Sequence, residues 1–532
     1  MLNSIRGTRG MAAAPHALAS QAALAVMRDG GNAIEAMIAA AATIAVVYPH
    51  MNSIGGDSFW LIRVPGQAVR GLDACGAAAL AADRQWYADR GIETAIPFRG
   101  GVAANTVAGT ISGWDAAFAL SQQIGGRLPL TRLLADAIHY ARDGSPVTRS
   151  QHLNTLGKRD ELQNVPGFAG LFLPSGEVPQ VGARFMQPAL AATLERLAHA
   201  GLDDFYRGDI ARSHVAALQK AGSPVALEDL LAHRAQWREP LKLAHSLGTV
   251  YNMPPPTQGA VSLMILGILD RMGLQSMDPL GADFVHSAVE ATKQAFRIRD
   301  RHITDPAYMS VDPQEFLRPD ALDKMCAAID PERAAPWGQG KGPADTIWMG
   351  VIDGNGLAVS FIQSVYHEFG SGVVVEDTGV AWQNRGCSFS LSPDALNFLQ
   401  PGRKPFHTLN PAMAEFSDGR VMVYGNMGGD GQPQSQSAVF SRTANFGMDP
   451  QAAITAPRWL LGRTWGRPSD TLKLESRFAP DVVETLRKRG HDVELMPEFD
   501  EAMGHAQAII LKPNGVMEGG ADPRGDGVVA AF

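Results

Sequence analysis

Residues 345–356 read Asp345-Thr346-Ile347-Trp348-Met349-Gly350-Val351-Ile352-Asp353-Gly354-Asn355-Gly356, an apolar run that opens on Asp-Thr and closes on a glycine-rich turn. This pattern predicts a β-hairpin, with Asp353-Gly354-Asn355-Gly356 joining two strands. The hairpin also marks a change of character. Helical periodicity prevails before residue 345, and short alternating apolar stretches with Gly-rich turns prevail from 346 to 430, so an α+β fold is expected. Thr346 is β-branched and suits a strand start. Cutting the bond between Asp345 and Thr346 would place a free amine on the same residue, where it can serve as base for the threonine hydroxyl.

The wider composition narrows the function classes. With 532 residues, 45% hydrophobic and 19% charged, the chain has the make-up of a soluble globular protein. A net charge of −8 and the lack of a basic block argue against nucleic acid as a partner. Cys75, Cys326 and Cys387 are odd in number and far apart, which offers no disulfide framework and no metal spacing. The Ala-rich N-terminus carries Arg6 and Arg9 but is broken by Pro15, His16, Ser20 and Gln21, so no secretory signal is read there. The longest apolar run, residues 36–48, is shorter than the roughly 20 residues a membrane span needs. It reads as a buried helix, and a cytoplasmic protein without a membrane partner is the simplest expectation.

Along the chain, residues 17–29 predict a helix stopped by Gly30-Gly31, and Asn32 with Glu35 predicts the capped start of a second. Asn52-Ser53-Ile54-Gly55-Gly56-Asp57 reads as a turn before a strand at 58–62, and Gly109-Thr110-Ile111-Ser112-Gly113 opens a further helix. Residues 128–300 are mainly helical in period, interrupted by Pro254-Pro255-Pro256. The segment 330–345, rich in Pro, Gly and Ala, reads as an exposed linker suited to cleavage. The loop Gly425-Asn426-Met427-Gly428-Gly429-Asp430-Gly431 lies between a strand-like and a helix-like stretch, and its glycine N–H groups could form an oxyanion hole. No Lys follows those glycines, so a phosphate loop is disfavoured.

These motifs, taken in order, resemble the γ-glutamyltransferase family of N-terminal-nucleophile hydrolases over nearly the whole chain. The residues that carry the resemblance include Ala14-Pro15-His16, Gly30-Gly31-Asn32-Ala33, Thr106-Val107-Ala108-Gly109, Pro254 to Gly259, His286 with Glu290, the Thr346 strand, Phe369-Gly370-Ser371-Gly372, Gly428-Gly429 and Asp522-Pro523-Arg524. The resemblance implies a four-layer αββα fold and autocleavage between Asp345 and Thr346. It also implies a large subunit 1–345 and a small subunit 346–532 that stay together, with a homodimer of such pairs as one assembly. It makes Thr346 the nucleophile and Gly428 and Gly429 the oxyanion hole. Ser364 falls where the family has a second threonine supporting the nucleophile.

The substrate positions depart from the family pattern. Ala74 stands at the place of the arginine that holds a glutamyl carboxylate, Ser388 at that of an aspartate for the amine, Tyr366 at that of an asparagine, and His407-Thr408 at that of a serine pair. Arg385, a natural bidentate partner for a carboxylate, lies in the same region. With Gly71 to Gly76, Gln383-Asn384-Arg385-Gly386 and Gly428 to Pro433, the chain resembles the branch that contains oxamate amidohydrolase, a purine-catabolic enzyme. Hydrolysis of a small carboxylate-bearing amide is expected, oxamate to oxalate and ammonia, with Arg385, Tyr366, His407 and Thr408 holding the carboxylate. The alternatives are γ-glutamyl transfer or glutathione hydrolysis, a cephalosporin-type acylase and, more distantly, an unprocessed binding protein. No metal or organic cofactor is implied, because the sequence shows no ligand-spaced His/Cys cluster.

Overall fold

A computed structural model describes residues 2–337, 345–463 and 469–532. Two seven-stranded sheets lie face to face. In the first, the order is Ile5–Gly7, Met517–Ala521, Ala506–Leu511, Val421–Asn426, Ala412–Phe416, Gly248–Asn252, Leu241–His245; in the second it is Val528–Ala531, Gly10–Ala14, Asp345–Asp353, Ala358–Tyr366, Asp57–Arg63, Arg70–Ala74, Gln236–Arg238. The described neighbours in both sheets pair antiparallel. Helices Ala17–Arg28, Ala33–Val47 and Thr110–Gln123 cover the second sheet, and Gly259–Leu269 and Gly431–Ala444 cover the first. The fold is therefore a four-layer αββα sandwich of the α+β class.

Three apolar interfaces hold the four layers together. The inner one joins the sheets through Met11, Phe59, Leu61, Trp348, Ile362, Met413, Val423 and Ile509, while each outer one seats helices on a sheet. The all-buried helix Ala33–Val47 is the centre of one outer layer. Its start is the capping box read from the sequence: Asn32 Oδ1 accepts from the Ile34 and Glu35 amides, and Glu35 Oε2 accepts from the Asn32 amide at 2.9 Å. No described helix is long and apolar enough to cross a membrane.

One expectation needs correction. Residues 236–252, expected to continue a helical region, form three strands. Leu241, Leu243 and His245 are buried while Lys242 and Ala244 face solvent, an alternation with period two that marks a half-buried strand. Both sheets interleave segments from either side of residue 345. Of the linker, residues 338–344 lie outside the described residues. Residues 331–333 are exposed, but the Ala334 amide donates to Arg489 O at 2.7 Å and the Ala335 amide to Glu290 Oε2 at 3.1 Å, so part of the linker is tied down.

Candidate active site

The predicted hairpin forms, with Asp345–Asp353 paired to Ala358–Tyr366. Its register slips where it matters chemically: Asp345 faces Tyr366 and Ile347 faces Gln363, so the partner strand carries one residue more opposite Thr346. This bulge brings Ser364 and Val365 across from Thr346 and re-aims the strand end. Tyr366 takes a φ of 85°, a strained backbone for a residue with a side chain. Thr346 and Ser364 are both fully buried. Gln432 Nε2 donates to Thr346 Oγ1 at 3.4 Å, and Ser364 Oγ accepts from the Tyr366 amide at 2.8 Å.

Gly428 and Gly429 turn the chain from the strand Val421–Asn426 into the helix Gly431–Ala444, with φ values of 111° and 50°. Only glycine adopts the first of these without strain. The Gly429 carbonyl accepts from Gln258 Nε2 at 2.9 Å, which also donates to Thr408 O at 2.9 Å, and this one amide ties the glycine loop to Thr408. The helix that follows adds its positive dipole end to the loop.

Arg385 is completely buried at the start of the turn Arg385–Ser388. Its guanidinium lies 4.3 Å from the Tyr366 ring centre and its Nη2 donates to Ser364 Oγ at 3.4 Å. Nε and Nη1 have no hydrogen-bond partner among the described residues. Burial lowers its pKa to about 10, against the opposing pull of Tyr366 and Asp57, so it stays cationic at neutral pH.

His407 and Thr408 complete the group of predicted substrate residues, with His407 Nε2 3.6 Å from Asp57 Oδ2. His407 is held by backbone, its amide donating to Pro256 O at 2.8 Å and its carbonyl accepting from the Gln258 amide at 3.0 Å. Both ring nitrogens and Thr408 Oγ1 are buried without a described partner. Burial and the Arg385 charge hold the His407 pKa well below the usual histidine range, and the ring is neutral.

Hairpin, glycine loop, buried arginine and two-sheet sandwich together define a known architecture. The gamma-glutamyltranspeptidase family model matches residues 19–532. The chain belongs to that family. It is 57% identical to the oxamate amidohydrolase proenzyme of Klebsiella pneumoniae and 40% identical to the glutathione hydrolase-like YwrD proenzyme of Bacillus subtilis, each alignment covering 100% of both chains. Among solved structures, cephalosporin acylase from Bacillus halodurans matches with a TM-score of 0.91 at 34% identity, covering 100% of this chain and 97% of that one.

Not every residue singled out from the sequence reaches the site of this family member. Ala74 packs toward helix Thr110–Gln123, where a Cβ added at Gly113 would lie 2.6 Å from its methyl. A longer side chain at 74 would meet that helix. Ser388 Oγ donates to Phe406 O at 3.3 Å and its carbonyl accepts from Asn397, so it serves the loop. Conversely, two residues escaped the sequence reading. Asp57 begins the strand Asp57–Arg63 instead of ending a turn, stands opposite Ser364, and is fully buried. Its Oδ1 accepts from the Gly76 and Gly109 amides at 3.0 Å each, and its Oδ2 lies 3.6 Å from His407 Nε2. Gln432 is the other. The signals were an aspartate directly before an apolar strand and three glutamines, 432, 434 and 436, directly after the glycine loop.

The fold also brings together ligand-type residues that lie far apart in the sequence. His286, Glu290 and His491 bring ligand atoms within 4.8 Å of one another, a cluster made by the fold and invisible in sequence spacing. Each of these groups has a protein partner: His286 Nδ1 lies 2.8 Å from His491 Nε2, His286 Nε2 lies 2.9 Å from Asp330 O, and Glu290 pairs with Lys293 Nζ at 2.7 Å. The cluster thus fastens the described end of the linker to the helix Ala282–His302. A cavity of about 710 Å³ opens beside Pro254, Pro255 and residues 309–314, and none of the predicted site residues lines it.

Proposed function

We propose that this chain cuts itself between Asp345 and Thr346 and then hydrolyses a small carboxylate-bearing amide, oxamate first among them, to oxalate and ammonia. The products of the cut would be subunits 1–345 and 346–532. Both sheets contain strands of each, which would keep them together. In turnover the Thr346 amine takes the hydroxyl proton as Oγ attacks the amide carbon. The Gly428 and Gly429 N–H groups face the developing oxyanion. The C–N bond breaks, ammonia leaves with the proton held by the amine, and water then cleaves the ester to free the acid and the hydroxyl.

Arg385 is the observation that carries the substrate class. A guanidinium without solvent and with two unsatisfied nitrogens costs several kcal/mol, and a substrate carboxylate would offset that cost. Tyr366, His407 and Thr408 supply further polar contacts around it. The 57% identity to an oxamate amidohydrolase proenzyme supports the choice of oxamate. Three separated cysteines, none in a disulfide, support a cytoplasmic setting, and oxamate hydrolysis would belong to purine breakdown. Purified protein should release ammonia from oxamate faster than it splits a γ-glutamyl anilide or deacylates a cephalosporin. The reverse ranking would favour glutathione-type or acylase activity.

A further inference from the structure

The buried amides behind Thr346 have only one self-consistent set of orientations. Asn410 places one end of its side chain 2.9 Å from Thr408 O, which can only accept, so that end is the NH2 group. The same nitrogen lies 3.3 Å from the Gln432 side chain, whose facing atom must therefore be Oε1. The other end of Asn410, its Oδ1, accepts from Ser262 Oγ at 3.1 Å, which agrees with the assignment. Gln436 reinforces the frame by donating to Asn410 O at 2.6 Å, and its Oε1, 2.9 Å from Ser262 Oγ, shares that hydroxyl's single hydrogen with Asn410 Oδ1. With Oε1 committed to Asn410, Gln432 can present only its NH2 to Thr346 Oγ1, 3.4 Å away. Thr346, Gln432 and Asn410 are fully buried, and Ser262 and Gln436 nearly so.

We propose that Gln432 is a catalytic residue, a neutral N–H donor to Thr346 Oγ in self-cleavage and in amide hydrolysis alike. The inference rests on Thr346 being the nucleophile. In each reaction Oγ gives its proton to a base and forms a bond to a carbonyl carbon, that of Asp345 in self-cleavage and that of the substrate in turnover; the C–N bond of that amide then breaks and its nitrogen takes the proton, becoming the free Thr346 amine in self-cleavage and ammonia in turnover. In the second half of each reaction water attacks the ester, the C–Oγ bond breaks, its electron pair returns to Oγ, and a proton follows. Oγ carries negative charge at the start of the first half and at the end of the second. A fixed donor aimed at that atom lowers both barriers. Because an amide neither gains nor loses a proton near neutral pH, Gln432 leaves the hydroxyl proton to the base, which in turnover is the Thr346 amine. Donation into the Oγ lone pair also orients that proton away from Gln432.

The test compares Gln432→Met, which keeps the volume and removes the donor, with Gln432→Glu, which donates only when protonated. Oxyanion-type donors are worth about 10²–10³ in kcat, and for this longer contact Gln432→Met should slow self-cleavage and kcat roughly 10- to 100-fold with KM for oxamate nearly unchanged. The rate of Gln432→Glu relative to Gln432→Met should climb as pH falls, because the protonated carboxyl restores the donor. Should Gln432→Met give no soluble protein, the same acid-side gain is read from Gln432→Glu against wild type. Wild-type rates in Gln432→Met, or a Glu-to-Met ratio flat with pH, would overturn the proposal. Thr346→Ala run in parallel separates the two levels: normal cutting there removes the nucleophile itself, whereas an uncut Thr346→Ala beside a fast Gln432→Met removes only the role of Gln432.

Discussion

Asp57 Oδ2 stands 3.6 Å from His407 Nε2, with both side chains fully buried and neither atom hydrogen-bonded among the described residues. Burial pushes the Asp57 carboxyl up to about 7, against the pull of the Gly76 amide and the Arg385 charge. His407 is neutral, so this pair is no ion pair at neutral pH. It is a proton-sensitive neighbour of the proposed carboxylate site.

The sign of its effect on stability follows from linkage. A carboxyl whose pKa is higher folded than unfolded binds its proton more tightly in the native state. Its contribution is complete below the unfolded value of about 3.9 and is lost as pH rises to about 7. Asp57→Asn keeps an oxygen for the Gly76 and Gly109 amides and cannot titrate. The melting-temperature difference, variant minus wild type, should therefore grow between pH 5 and 7.5, as read by thermal melts. A difference flat with pH would contradict the assignment.

Arg385→Met should leave self-cleavage intact, since neither Thr346 nor the glycine pair is touched. It should raise KM for oxamate on the order of 10²-fold, the scale of about 2–5 kcal/mol for a buried charge pair lost on one side. Steady-state ammonia release together with a denaturing gel checks both halves. A variant with unchanged KM would move the carboxylate site elsewhere.

Gly428→Ala tests the turn itself. A Cβ there would meet nothing closer than 3.7 Å, so crowding is not the issue. At φ 111° an alanine is strained by about 1–3 kcal/mol, and the loop should relax and re-aim its N–H groups. A folded protein with a lower melting temperature and kcat reduced by at least tenfold is expected. Wild-type turnover in a folded variant would take Gly428 out of the oxyanion hole.

Legibility in the sequence followed the range of the interactions. The Asn32–Glu35 cap, the buried helix after it and the Thr346 hairpin depend on neighbours a few residues away, and all three were readable. The strand Gly248–Asn252 was not: its neighbour Leu241–His245 is local, but its other one, Ala412–Phe416, lies more than 150 residues on. The bulge opposite Thr346 could not be read either, since local patterning does not reveal a register slip. Arg385 was visible as a candidate anion ligand, but its burial depends on Tyr366 and Ser364 arriving on another strand. Asp57 became legible only when Ser364, Arg385 and His407 stood around it. Alignment to a family motif named the position of Ala74, but its contact with helix Thr110–Gln123 comes from the fold.

The claim on which the rest depends is that Thr346 becomes a chain terminus. Intact-mass spectrometry with N-terminal sequencing of the purified wild type tests it directly, with Thr346→Ala alongside. The account predicts two wild-type chains, the smaller beginning at Thr346, and a single uncut chain in the variant. An uncut wild-type chain, a smaller chain with a different first residue, or normal cutting of Thr346→Ala would contradict it.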